Sequence, residues 1–451
     1  MNALLNLTQA LAIAMSMAFV TYVLLIIAPF LRRKPAPVGD PADWDWHILI
    51  PCRDEEAVIG GTIGYLRETF PSAHLWIIDD DSDDDTRKVV RRWRNDDHVH
   101  LIRRRRPDAR LGKGEALNSG YREITAWLGP DGDPDRVIVQ VVDADGRPAP
   151  NCLAVCAGAH LFGDPRIGAV QIDVRMSNRG ETDRTGGAFR RWRGVLLVRL
   201  QDLEFRAAIA AIQYSRKFTG TISMGGNGQF TRLSALDSIA GEDGRPWGGC
   251  LLEDFELGVH LLTAGWRTGF SNDTHVDQEG LYSLRRFLAQ RTRWSQGTMQ
   301  CARYVGRIWN SEHLRTAGAA EMLYYLAQPW LQLLGSLVYP IPLFVLLVRT
   351  LRHPAATWSW LGGGAWLFFL VYALIGLVPF VIWGPIYWLH CERRGTILRG
   401  LGWGLAYALY IYTFYVTSWR ALARLVRRRN GWAKTRRNAQ QNPAGTAAVE
   451  H

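Results

Sequence analysis

Uncharged apolar runs stand at both ends of the chain, and a shorter, mixed pattern fills the middle. Residues 1–31 carry no charged side chain, and residues 11–30 are long enough as a helix to cross a hydrocarbon core of about 30 Å. The basic cluster Arg32, Arg33 and Lys34 follows this run rather than preceding it. A retained anchor is therefore expected, not a cleaved signal peptide, with the next segment in the cytosol by the positive-inside rule. At the far end, residues 322–348, 358–388 and 401–419 are again free of charge. Pro329, Pro340 and Pro342 interrupt the first of these runs and Pro379 and Pro385 the second, predicting kinks or breaks. One crossing per run would leave the tail outside, whereas the basic residues 420–437 belong inside. Charge is the stronger argument, so one proline-broken run is expected not to cross, or to cross twice.

Between these ends, residues 36–283 read as an α/β domain with a largely parallel sheet, because short β-branched runs alternate with helical periodicity. Strands are predicted at residues 47–50, 75–78, 99–102, 137–142 and 167–174. A helix over 55–67 carries Val58, Ile59, Ile63 and Leu66 on one face, and one over 114–128 carries Leu117, Tyr121, Ile124 and Leu128. Residues 284–312 are expected to form interfacial helices, 318–425 a helical transmembrane region, and 426–451 a basic cytosolic tail, disordered after Asn438. The domain is thus inserted between an N-terminal transmembrane helix (residues 1–31) and a C-terminal transmembrane region.

Composition narrows the partners. The net charge of +11 comes largely from arginines beside the apolar runs, where anionic lipid headgroups account for it better than nucleic acid. Arg103 to Arg106 lie inside the domain and read first as a solvated turn, with a phosphate-facing role as the alternative. Six scattered cysteines show no paired C-x-x-C spacing, so reduced thiols are expected and a zinc site is not. Neither a Walker-type phosphate loop nor a G-x-G-x-x-G turn follows a strand, which argues against kinase and dehydrogenase chemistry. A zincin H-E-x-x-H and a hydrolase nucleophile elbow are also absent.

The carboxylates fall where ligands of open α/β sheets bind, at strand carboxyl ends. The second predicted strand runs into Asp79-Asp80-Asp81-Ser82, and the strand over 137–142 runs into Asp143-Ala144-Asp145. The latter spacing suits two hard oxygen ligands on Mg²⁺ or Mn²⁺ bridging a diphosphate. Taken alone, such a triplet arises by chance on many loops; its emergence from an apolar strand is what singles it out. Asp83 to Asp85 read equally as a solvated helix N-terminus. Leu252-Glu253-Asp254 opens a helical pattern, where a carboxylate is either stabilised by the helix dipole or poised as a base. Gln290, Arg293 and Trp294 share a helical face, suited either to phosphate and sugar contacts or to membrane anchoring.

Together these motifs resemble the processive family 2 glycosyltransferases, which include bacterial cellulose, hyaluronan and chito-oligosaccharide synthases. The likeness runs over residues 48–294: Ile50-Pro51-Cys52-Arg53-Asp54-Glu55-Glu56, Ile78-Asp79-Asp80-Asp81-Ser82, Gly112-Lys113-Gly114-Glu115-Ala116-Leu117-Asn118, Asp143-Ala144-Asp145, Glu253-Asp254 and Gln290 to Trp294. Asp54 replaces the family's usual asparagine and Leu252 its usual threonine. The resemblance implies a GT-A-type (Rossmann-like) domain in which Pro51, Glu55 and Asp80 line the nucleoside pocket and Lys113 and Asp143 hold the nucleotide. It further implies that Asp145 binds Mg²⁺ or Mn²⁺, that Asp254 beside Glu253 is the general base, and that Gln290, Arg293 and Trp294 bind pyrophosphate and acceptor sugar. Gly225-Gly226-Asn227-Gly228 resembles the family's acceptor loop, and Trp432 to Arg436 its gating loop. The expected activity is inverting polymerisation of a β-linked glycan from a UDP-sugar, UDP-glucose or UDP-N-acetylglucosamine, by a multi-pass plasma-membrane protein. The alternative is single transfer to a lipid or short oligosaccharide. Expected partners are the UDP-sugar, the glycan acceptor and the bilayer, with an accessory export subunit as a further candidate and no nucleic acid.

Overall fold

A computed structural model of the chain describes residues 2–180, 187–392 and 395–429. Its centre is one eight-stranded sheet: β1 (Asp45–Cys52), β2 (His74–Asp80), β3 (Val99–Arg104), β4 (Val137–Val141), β5 (Arg147–Pro148), β6 (Ile167–Met176), β7 (Gln229–Arg232) and β8 (Arg267–Gln278). The order is β3-β2-β1-β4-β7-β6-β8-β5. β3, β2, β1 and β4 are parallel, the Rossmann-like half, whereas β7 pairs antiparallel with both β4 and β6. Every strand predicted from apolar runs is present. β8 was not predicted because its sequence is polar; Thr268, Ser271 and Thr274 are buried in it, so no apolar alternation marks it.

Period-two side-chain alternation splits the core. Ile48 and Ile50 pack with Ile59, Ile63 and Leu66 on one sheet face. Leu49 faces the other way, in a cluster that takes in Leu117, Tyr121 and Ile124 and continues through Phe287 and Tyr410 to Val23 and Ile26 of the N-terminal helix Asn2–Leu31. The sheet and the apolar helices therefore share a core. The helix predicted over 55–67 begins only at Ile59. Residues before it bond to the loop after β2 instead: the Asp54 amide to Ser82 Oγ at 3.1 Å and the Glu55 amide to Thr86 Oγ1 at 2.7 Å.

Among the described residues, three helices are long and apolar enough to cross a membrane: Leu7–Leu31, Thr316–Arg352 and Leu374–Glu392. The uncharged run over 401–419 is not one of them. It is divided between helices Ile397–Ile411 and Thr413–Val426, each too short alone. The expectations for Trp432 to Arg436 and for disorder after Asn438 lie outside the described residues.

Candidate active site

The carboxyl ends of β1, β2 and β4 open on one side, as the topology of a parallel sheet requires. After β4 the chain turns through Asp143, Ala144 and Asp145, and three bonds pin this turn. Thr62 Oγ1 donates to the Ala144 carbonyl at 2.6 Å, the Asp143 amide to Asn227 Oδ1 at 3.2 Å, and the Glu279 amide to Asp145 Oδ2 at 3.2 Å. Both aspartates are thereby fixed just past the carboxyl end of β4.

Lys113 starts the helix Lys113–Leu128, and its Nζ donates to Asp143 Oδ1 at 2.8 Å and to the Gly226 carbonyl at 2.5 Å. Burial works against its charge, but Asp143, Glu253 and Asp254 more than offset this and hold the ammonium above the usual lysine range. Gly226 leaves room for this approach: a Cβ there would lie 3.0 Å from Lys113 Nζ and 3.3 Å from Asp254 Oδ2, so both side chains would have to give way by a few tenths of an ångström. Glu253 and Asp254 open the helix Glu253–Thr263. Burial pushes both carboxyls up: Glu253 is raised further by Asp254, while the Phe255 amide and the Lys113 charge restrain Asp254. Carboxyls held above their ordinary range suit proton abstraction near neutral pH.

Asp80 is buried at the end of β2, accepting from Arg104 and from the Arg110 amide. Arg104 corrects part of the sequence reading: it is a buried partner of Asp80, not part of a solvated turn, although Arg103 and Arg105 are exposed. Asp54 and Asp81 both adopt left-handed backbone, with φ of 53° and 60°. Aspartate tolerates this region as asparagine does, which accounts for Asp54 in the usual asparagine position.

A single cavity of about 1180 Å³ joins these parts, lined by Pro51, Glu55, Asp80, Lys113, Asp143, Glu253, Asp254, Gln290, Arg293 and Trp294. Asp145 alone of the anticipated residues is not in its wall; Gln278 and Glu279, next to it, are. The described residues hold no cluster of three or more His, Cys, Asp or Glu side chains fit to bind a metal unaided. A Mg²⁺- or Mn²⁺-type site needs fewer protein ligands, one or two carboxylates being completed by substrate phosphates. Sequence reasoning missed Gln171, whose Oε1 accepts from the Gly225 amide at 2.7 Å, and it named Arg104 and Asn227 only within longer motifs, without their bonds to Asp80 and to the Asp143 amide. No local pattern marks these bonds, because the three residues serve the site from neighbouring strands and loops.

The profile of the family described as glycosyltransferase like family 2 matches residues 45–297, more than half of the chain. β-Monoglucosyldiacylglycerol synthase of Synechocystis sp. is 29% identical over 257 residues, covering 56% of this chain and 47% of that protein. Hyaluronan synthase of Streptococcus pyogenes is 22% identical over 285 residues, 61% of this chain and 62% of the other. The chain thus spans about half the length of the first of these curated relatives. The solved mannosyltransferase PcManGT of Pyrobaculum calidifontis, in complex with GDP-Man and Mn²⁺, superposes with a TM-score of 0.55 at 18% identity, over 93% of this chain and 99% of that one. The two share the GT-A fold.

Proposed function

The chain belongs to glycosyltransferase family 2, and on that premise we propose that it is an inverting hexosyltransferase extending a β-linked glycan from UDP-glucose or UDP-N-acetylglucosamine at the membrane. The observation that carries this reading is the Lys113 ammonium, which joins Asp143 to the Gly226 carbonyl while Asp254 lies against the same glycine. Donor and acceptor functions then meet at one point.

In this reading Pro51, Glu55 and Asp80 take the nucleoside, and Lys113 and Asp143 the nucleotide. Asp145 would hold Mg²⁺ or Mn²⁺, which supplies charge neutralisation at the diphosphate. Gln290, Arg293 and Trp294 orient the pyrophosphate and the terminal acceptor sugar. Asp254 takes the proton from an acceptor hydroxyl as that oxygen bonds to the anomeric carbon, and the bond from that carbon to the diphosphate oxygen breaks. Lys113 and Arg293 stabilise charge on departing UDP, an effect of several kcal/mol in comparable sites. One displacement inverts the anomeric centre, so the new link is β.

Polymerisation is supported by the continuation of the cavity between the apolar helices. Its wall there includes Ser16, Tyr22, Tyr324, Gln328, Gln332 and Tyr339. Aromatic rings and amides inside an apolar bundle suit a passing glycan, and polar groups there are otherwise costly. A lipid acceptor is favoured by Phe19, Ile375, Phe380 and Phe414 of the same wall and by the similarity to a diacylglycerol glucosyltransferase.

Membranes bearing the protein, given labelled UDP-sugar with Mg²⁺ or Mn²⁺, should yield a ladder of water-soluble products. Chelation, Asp145→Ala or Asp254→Asn should abolish it. Label recovered only in the organic phase would favour the lipid acceptor, and unchanged turnover in Asp254→Asn would overturn the assignment of the base.

A further inference from the structure

Arg291 stands inside the Gln290-Arg291-Thr292-Arg293-Trp294 segment but turns away from bulk water, only 5% exposed. Its guanidinium carbon lies 4.2 Å from the centre of the Trp294 ring, with Phe287 at 5.1 Å, Phe205 at 5.6 Å and Phe414 at 5.8 Å. A cation so enclosed needs a counter-charge. Glu204, 6% exposed, supplies it: Arg291 Nη2 donates to its Oε2 at 2.6 Å, and the Tyr410 hydroxyl donates to the same oxygen at 2.5 Å. Phe205 meets Trp294 edge-on, at 87° and 6.3 Å. Glu204, Arg291 and Trp294 all line the cavity.

We propose that Arg291, anchored by Glu204 and Tyr410, is a positioning residue that fixes the Trp294 ring as the platform for the acceptor sugar. This rests on the reading of Trp294 as an acceptor contact. The guanidinium attracts the ring's negative face, and Phe205 stands nearly perpendicular to the ring, so the ring keeps one orientation toward the cavity. Glu204 opens the π-helical turn Glu204–Ile209 and Tyr410 sits on the apolar helix Ile397–Ile411, so the platform is tied to both the catalytic domain and the C-terminal helices.

The test uses the full chain in detergent with whichever UDP-sugar the wild type turns over, and cellotetraose or chitotetraose as the acceptor probe. Arg291→Met should raise the KM for the tetrasaccharide about tenfold, the worth of a buried cation–π contact, with the donor KM held within about twofold. Arg291→Lys, which keeps a cation over the ring, should recover most of the loss. If Arg291→Met does not fold because Glu204 is left charged and unpaired, Arg291→Met/Glu204→Gln removes that charge and should show the same KM rise. An unchanged acceptor KM, or donor and acceptor KM rising together, overturns the positioning role. Wild-type protein that transfers no sugar overturns the underlying function instead.

Discussion

Lys113 faces three carboxylates of the site, Asp143, Glu253 and Asp254. Its charge lowers Asp254 against the upward push of burial. The sign of the pH dependence follows. With Asp254 as the proposed base, which works deprotonated, activity should be lost as pH falls through its pKa, which burial holds above the ordinary carboxyl range. Replacing Lys113 by glutamine removes a restraint and moves that pKa further up. The acidic limb of kcat/KM should therefore shift to higher pH in Lys113→Gln, while its plateau drops about a hundredfold from lost diphosphate stabilisation. A pH–rate profile checks both, and an unshifted limb would place the base elsewhere. At this scale the sequence was most readable where one residue has one chemistry to do: Asp143, Lys113 and Asp254 all line one cavity. Arg104 was misread, because nothing local distinguishes an arginine that pairs with Asp80 from three neighbours on the same strand end and turn.

Among the elements, those with apolar periodicity were legible and those that depend on partners were not. β1, β2 and β4 announce themselves by buried aliphatic runs, whereas β8 is held by pairing to β6 through two register shifts that no local pattern foretells. The helix after β1 starts late because its first turn is drawn into bonds with the loop after β2. The Lys113 helix is bounded differently, by close packing. A Cβ on Gly114 would lie 2.5 Å from the Gly248 carbonyl and 3.4 Å from Glu253 Cβ. Asn118 on the same helix bonds the Trp247 carbonyl at 2.9 Å and receives the Trp247 amide at 3.0 Å, stitching helix to loop. Gly114→Ala should therefore cost about 1–3 kcal/mol through overpacking and displace the loop that leads to Glu253. A lowered melting temperature together with reduced turnover is the expected pair of readings; a variant as stable and active as wild type would show that the seam yields freely.

Across the whole molecule, the two ends of the sheet do different work. The carboxyl ends of its parallel strands face the cavity, and that side is joined to the C-terminal helices by Glu392, which pairs with Arg179 at 3.2 Å, Arg199 at 2.8 Å and Arg206 at 3.1 Å. The opposite ends of β1, β2 and β3 gather His47, His74 and His100, with His98 beside them and Trp76 and Trp127 packed against the rings. His74 Nδ1 and His100 Nε2 are 3.0 Å apart, and the Trp76 indole donates to His47 Nδ1 at 2.9 Å. Burial first, and the neighbouring imidazoles second, hold His47 down to about 3; His74 is held to about 4 by burial, His98, His100 and Arg67. His100 is lowered by burial and His98, with Asp96 opposing. An unfolded histidine takes its proton near pH 6.5, so between there and about pH 4 the unfolded chain binds protons that the native cluster refuses. Stability must therefore fall as pH falls through that window, independently of Glu253 and Asp254. His74→Phe keeps an aromatic ring in the stack and removes one titrating group, so its loss of melting temperature between pH 7 and pH 5 should be smaller than that of the wild type. Equal losses in the two proteins would assign the acid sensitivity to other groups.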